Sequence, residues 1–312
     1  MLATDRIKLM GTVIDLQIIS DKADTQLQMA RELLITYKNR FSANDDDSEL
    51  MAINHQAGVE PLIVHPDLFE LIHIGKEHSL AQPSNLNIAI GPLVQTWRIG
   101  FPDANKPSQE IIRQKLALSQ PRLIHLNSKT QSVFLEKEGM TVDLGALAKG
   151  YIADKIMAYL IQDGIDSALI NLGGNVLVHG INPNRPDGFY YIGIQEPGQA
   201  RGQNMAILKA HNQSVVTSGI YERYLTINNV DYHHIFDCQT GYPIETEMAS
   251  LTIVAKSSLD CEIWTTRLFG LSLKKVYDTL NQLDGIEGII ITKDKQVLFS
   301  RGLEGKCQLL YH

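Results

Sequence analysis

The chain has 312 residues, 44% of them apolar and 20% charged, with a formal net charge of -7 at pH 7. Length and composition are those of a soluble globular protein with a sizeable buried core. The acidic balance, with no basic stripe to offset it, excludes a nucleic-acid binder, and no apolar run approaches the roughly 20 residues of a membrane span.

The opening stretch MLATDRIKLMGTVIDLQII lacks a basic region followed by an uninterrupted apolar one, and it has no lipobox-like cysteine. It reads as a first strand, and the expected location is the cytoplasm. Cys238, Cys261 and Cys307 are too few and too scattered for a disulfide framework or a thiolate metal site.

Residues 6–19 alternate apolar and polar positions and predict one strand. Residues 23–40 repeat apolar positions every third or fourth residue and predict an amphipathic helix. FSANDDDSEL at 41–50 is acidic but lacks the spacing of an EF-hand, so a capped turn leading into a helix is expected. Further helices are predicted over 66–79 and 107–118, and IGPLVQTWRIGF at 90–101 reads as a proline turn serving the core. The longest helix is expected at 146–163, with Ala148, Ile152, Ile156 and Tyr159 on one face and Lys149 and Asp154 pointing elsewhere.

From 167 to 234 the chain turns to short strands: SALINL, NVLVHG, FYYIGI, MAILKA, VVTSG and RYLTI. INPNRPDG at 181–188 is a turn cluster inside this run. A strand at 249–255, helices near 259–270 and 272–283, and two final strands complete the prediction. The class is α+β, mixed sheets with flanking helices, in one continuous structural unit over residues 1–312.

Three stretches carry chemistry. VDLGALAKGYIADKI at 142–156 puts Asp143, a glycine turn and Lys149 at the start of a helix. Free amides and a partial positive charge at a helix N-terminus, with a lysine added, suit a phosphorylated ligand. An ordinary strand-to-helix turn with a solvated lysine explains the same residues.

TSGIYERYLTINNVDYHHIFDCQTGYPIE at 217–245 predicts a hairpin with Asn228-Asn229 at its tip, followed by His234 three residues before Asp237. A histidine beside a carboxylate can move protons. A surface hairpin with locally bonded histidines is the plain alternative. In DCEIWTTRLFGL at 260–271, Glu262 and Thr266 are four apart, so on a helix they share a face and can grip one hard cation through oxygen. The alternative is an exposed glutamate with the threonine bonded back to its own helix.

The order of MGT at 10–12, FSANDDDSEL with Asn54, GPLVQTW, VDLGALAKGYIAD, INLGGN at 170–175, TSGIYERY, HIFDCQTGYP and EIWTTRLFGL resembles the ApbE family of FAD:protein FMN transferases. The resemblance covers about residues 5–275. It implies an enzyme that cleaves FAD with a divalent metal, usually Mg²⁺. FMN passes to a threonine in a short Asp/Ser-x-x-Thr type motif of a target flavoprotein, and AMP leaves. Some relatives mainly hydrolyse FAD. By position, His234 matches the histidine beside the reacting phosphate. Met10, Asn85, Leu86, Asn87, Asp143, Lys149 and Phe236 match positions that seat FAD. The Ala146 carbonyl, Glu262 and Thr266 match the metal ligands.

The chain departs from that pattern in several places. Glu262 stands where the family normally has Asp. Ser84, Asn85, Leu86 and Asn87 replace a Gly-Ala-Phe-Asp stretch. Ile220 replaces an aspartate in the Ser-Gly-Asp-Tyr turn, and Cys238 stands at a position that is commonly proline. Two expectations follow: a transferase of altered geometry or partner choice, or a flavin-binding relative with weak or no transfer, including simple FAD hydrolysis.

Overall fold

The computed structural model describes residues 1–310. In chain order the elements are β1 (Leu2–Leu9), β2 (Thr12–Ile19), α1 (Ala23–Phe41), α2 (Glu49–His55), β3 (Leu62–Ile63), α3 (Pro66–Leu80), α4 (Gly91–Trp97) and α5 (Gln109–Leu118). They continue with β4 (Ile124–Asn127), β5 (Ser132–Leu135), α6 (Ala148–Gln162), β6 (Ser167–Leu172), β7 (Asn175–Gly180), β8 (Tyr190–Gln195), β9 (Asn204–Ala210) and β10 (Gln213–Gly219). The last are β11 (Tyr224–Ile227), β12 (Val230–His233), β13 (Met248–Ala255), α7 (Ser258–Leu268), α8 (Leu273–Leu280), β14 (Glu287–Thr292), β15 (Val297–Phe299) and β16 (Cys307–Leu309).

An eight-stranded sheet in the order β1-β2-β6-β7-β10-β13-β14-β15 organises the protein. Its neighbouring strands pair antiparallel throughout, so the mixture expected from the sequence lies in the succession of helices and strands. One face carries α1 and α6 over β2 and β6, and α7 and α8 over β13. Behind β10, β13 and β14, the three-stranded sheet β16-β9-β8 packs Tyr190, Ile194 and Leu208 against Val215, Val254 and Ile289. Covered on both faces, β13 is buried along its whole length, which is why its sequence MASLTIVA shows no alternation. Among the described residues no helix is long and apolar enough to cross a membrane.

Several expectations change in detail. Residues 6–19 are not one strand; they span a hairpin that turns at Met10-Gly11, both with positive φ (51° and 68°). That pair forms the two-residue turn whose twist matches its strands. GPLVQTW is a helix, α4, begun by Gly91-Pro92. A third strand, β16, follows the two expected at the C-terminal end, and β3, β5 and β4 form a small sheet without a counterpart in the prediction. The acidic stretch at 41–50 behaves as expected: Ser48 caps α2 by accepting from Met51 N at 3.1 Å.

The contact that matters most for function is α6 against α7. Gly150 makes it possible: a Cβ there would lie 2.5 Å from the Ser258 carbonyl oxygen and 2.8 Å from both Leu259 Cα and Glu262 Cγ. Two of those three neighbours are backbone and cannot swing away. Gly150→Ala is therefore expected to lower stability by about 1–3 kcal/mol, read in a urea titration, although alanine normally favours a helix. A neutral or stabilising result would mean that the two helices separate without cost.

Candidate active site

The segment ahead of α6 is pinned from two sides. Asn54 on α2 brackets Val142, accepting from its N–H at 2.8 Å and donating to its carbonyl at 3.1 Å. Asp143 N then donates to Ile88 O at 2.9 Å. The Asp143 carboxylate accepts from Gly145 N at 2.7 Å, which folds the chain into the helix. Burial pushes the Asp143 carboxyl above its ordinary range, against the lowering effect of that bond. Thr141, Val142 and Asp143 border a cleft of about 320 Å³ shared with Asn44, Gln95 and Arg98. Among the described residues the buried Thr141 Oγ1 has no hydrogen-bond partner. Unpaired buried polar atoms are rare; this one lies against Gly91, where a Cβ would come within 2.2 Å of it.

Lys149 follows in the first turn of α6, where a cation opposes the helix dipole. Its partner lies 113 residues away: Lys149 Nζ meets Glu262 Oε1 at 2.6 Å. Asn175, the first residue of β7, donates to the same oxygen at 3.0 Å and accepts from Ser258 Oγ at 2.6 Å. Asp154, one turn further along α6, accepts from Ser257 Oγ and from the N–H groups of Ser258 and Leu259 at 2.8–2.9 Å. It thereby caps α7 and sets the height at which Glu262 projects. Asn175 closes INLGGN and Asp154 closes VDLGALAKGYIAD, but their partners are 83 or more residues distant, beyond any local spacing.

Glu262 is 3% exposed, so the explanation as a solvated helical glutamate fails. The back-bonded threonine is the neighbour, Thr265, whose Oγ1 donates to Glu262 O at 3.0 Å. Thr266 is half-buried, and its hydroxyl makes no hydrogen bond among the described residues. Glu262 Oε2 also accepts nothing among them. With the exposed Ala146 at the entrance to α6, the free donors are a carboxylate oxygen, a hydroxyl and a carbonyl. That set fits a hard divalent cation such as Mg²⁺. No cluster of three His, Cys, Asp or Glu side chains suited to a metal occurs among the described residues.

His234 directly follows β12. Its Nδ1 sits 3.2 Å from Arg223 O, an atom that can only accept, so Nδ1 carries the proton and Nε2 keeps its lone pair. Burial pulls the imidazole down to about 4, helped by the charges of Arg223 and Lys149 and opposed by the bond to Arg223 O. The ring is thus neutral at physiological pH.

The remaining positions have varied surroundings. Asn85 donates to Phe236 O at 2.9 Å, joining the loop before α4 to the chain after His234. Asn87 is engaged on both sides, donating to Ser119 O, 32 residues on, at 2.9 Å and accepting from Ala89 N at 2.8 Å. Leu86 (2% exposed) and Phe236 (5%) turn their side chains into the core, Phe236 against Trp97. Met10 is half-buried in the β1–β2 turn. Cys238 donates its thiol to Asn85 O at 3.2 Å, and burial pushes that thiol up to about 12, so it is no nucleophile.

The profile of the ApbE family matches residues 10–290. An FAD:protein FMN transferase of Klebsiella pneumoniae (strain 342) is 41% identical over 292 residues, spanning 94% of this chain and 90% of its own. Another, from Treponema pallidum (strain Nichols), is 32% identical over 96% of this chain and 87% of its own. The crystal structure of the ApbE protein of Thermotoga maritima matches with a TM-score of 0.88 at 24% identity, over 98% of this chain and 99% of that one. The apo flavinyl transferase ApbE of Pseudomonas stutzeri gives 0.83 at 21% identity, over 98% and 96%. These two structures speak for the fold, and the family match and the sequence identities go further: the chain belongs to the ApbE family.

Proposed function

We propose that this chain is an FAD:protein FMN transferase that moves FMN from FAD to a threonine hydroxyl of a target flavoprotein, with AMP leaving. The observation that carries the reading is the junction of α6 and α7. There Lys149 Nζ and Asn175 both bond Glu262 Oε1, at 2.6 and 3.0 Å, and Glu262 Oε2 makes no hydrogen bond among the described residues. A purely structural helix contact has no use for a buried carboxylate with one oxygen left free.

In the proposed reaction the threonine oxygen attacks the phosphorus on the FMN side of the diphosphate. A new P–O bond forms, the bond from that phosphorus to the bridging oxygen breaks, and AMP departs with the bridging oxygen. His234 Nε2 takes the threonine proton, and its Nδ1–H stays anchored on Arg223 O. Asp143 and Lys149 hold FAD together with the Met10 turn, Phe236 and the loop of Asn85, Leu86 and Asn87, which the Asn85 bond to Phe236 O ties to the chain after His234. Glu262, Thr266 and the Ala146 carbonyl would hold Mg²⁺. A divalent cation there would neutralise charge on the diphosphate oxygens, the main demand of phosphoryl-type transfer.

Residues 1–312 are proposed to act as one unit, since the eight-stranded sheet draws strands from β1 to β15. A cytoplasmic location is proposed on the three cysteines, all of them free thiols.

The test is incubation of the protein with FAD and Mg²⁺, with and without an acceptor carrying the threonine motif, resolving AMP, FMN and acceptor mass. Transfer requires AMP together with an acceptor heavier by one FMN group. AMP and FMN in equal amounts, with the acceptor unchanged, would make the protein an FAD hydrolase. Intact bound FAD would make it a flavin carrier.

A further inference from the structure

We propose that Arg223 is a catalytic residue of this same reaction, its guanidinium binding the diphosphate oxygens of FAD beside His234. The proposal rests on the flavin-transfer reading above.

Register supplies the first argument. In the β11–β12 ribbon Ile227 faces Val230 and Tyr224 faces His233, so the next pair outward is Arg223 and His234. His234 N donates to Arg223 O at 3.2 Å, which marks this as a hydrogen-bonded pair. Residues directly opposite on antiparallel strands project from the same face, with Cβ atoms about 5 Å apart. The guanidinium therefore rises on the face that carries the proposed base.

The path of the side chain supplies the second. Its stem lies along Gly100: a Cβ there would come within 2.9 Å of Arg223 Cδ and 3.5 Å of Arg223 Cβ. Its tip reaches the β1–β2 turn, where a Cβ on Gly11 would be 3.9 Å from Arg223 Nη2. The arginine thus spans from the proposed base to the residue next to Met10, bordered by two glycines that leave it room.

Charge supplies the third. Among the described residues no carboxylate lies within ion-pair distance of the guanidinium. The adjacent Glu222 pairs instead with Arg201, at 3.8 Å. Lys149 is already matched by Glu262. Arg223, exposed and without an ion pair among the described residues, is free to meet a ligand beside His234, and its planar fork suits two oxygens of a phosphate. Transfer from a diphosphate builds charge on those oxygens, so a fixed donor there acts mainly on turnover.

The experiment compares wild type, R223A and R223K for AMP release to water and to the acceptor, with FAD affinity measured by fluorescence. R223A is expected to lose about 100–1000-fold in kcat for both acceptors, with the KM for the acceptor protein unchanged. R223K is expected to recover only part of this, because a lysine offers a point charge and no fork. Added guanidinium ion at non-denaturing concentration should restore part of the R223A rate and leave R223K unaffected, which a merely structural arginine would not do. Wild-type turnover in R223A, a loss confined to the acceptor KM, or a loss without guanidinium rescue would overturn the proposal. If R223A fails to fold, R223K alone decides: full activity sinks the assignment. A wild type that releases no AMP would defeat the flavin-transfer reading itself, an outcome distinct from an active wild type with an equally active R223A.

Discussion

Glu262→Gln is expected to cut FAD cleavage by at least about 100-fold while leaving the fold intact, whereas Glu262→Asp should keep turnover within about tenfold of wild type. Glutamine is nearly isosteric, and its carbonyl oxygen can still accept from Asn175 and Lys149 as Glu262 Oε1 does now. What disappears is the negative charge, and with it both the match to Lys149 and the anionic ligand for a cation. Aspartate keeps the charge but is shorter by one carbon–carbon bond, about 1.5 Å. The 2.6 Å contact with Lys149 would then stretch beyond hydrogen-bond range unless α7 moved inward. Gly150 already brings that helix as close as the backbone allows. Glu262→Asp should therefore change the Mg²⁺ concentration for half-maximal rate more than the rate itself. AMP release against Mg²⁺ concentration, with thermal melts of each variant, reads all of this. A Glu262→Gln protein with wild-type turnover would remove Glu262 from the site.

Most of the fold was legible because its elements obey one period each. The 3.6-residue repeat placed α1 to within one residue of its observed end, and α6 within two at its start. The N-terminal hairpin escaped for a physical reason. Its apolar positions run odd in β1 (Ile7, Leu9) and even in β2 (Ile14, Leu16, Ile18), a change of phase across the turn. A two-residue turn produces that shift, since Leu9 and Thr12 face each other. Methionine is an unusual residue at positive φ, so nothing in composition flagged the turn. The small β3-β5-β4 sheet escaped because strands of two to four residues carry too little alternation to register.

The candidate site divides along similar lines. Asp143, Gly145 and Lys149 were readable from helix-terminus chemistry, which is local. The contact of Lys149 with Glu262 joins residues 113 apart, and no spacing rule reaches that far. Neither does the capping of α7 by Asp154, 103 to 105 residues distant. The Arg223–His234 pair is different. An Asn228-Asn229 tip, with both residues at positive φ, fixes the register of the whole ribbon, and counting outward places Arg223 opposite His234. That pairing was available from the sequence once the turn had been recognised. Leu86 and Phe236 show the converse: their positions followed from the resemblance, but side-chain direction depends on packing with Trp97 and the main core, which a motif does not encode.

His234→Ala is expected to lower transfer by about 100–10,000-fold, and the wild-type pH profile should carry an unusually acidic limb. With the imidazole pulled down to about 4, the base form prevails above that pH, and protonation removes it below. kcat/KM for FAD should therefore stay level from about pH 8 to pH 5, then fall about tenfold per pH unit below 4. A solvated histidine would start that fall near 6.5. The limb in kcat should lie higher than the limb in kcat/KM, because bound phosphates favour the imidazolium in the complex. The sign carries over to stability. Between about 6.5 and 4 the unfolded chain takes up a proton at this histidine that the folded chain refuses, so stability falls as pH falls through that window. His234→Gln would remove the contribution, leaving a shallower loss of stability on acidification. A kcat/KM limb at 6.5, or a His234→Ala protein with full transfer, would return this residue to the ordinary role of a hairpin histidine bonded to its neighbour's carbonyl.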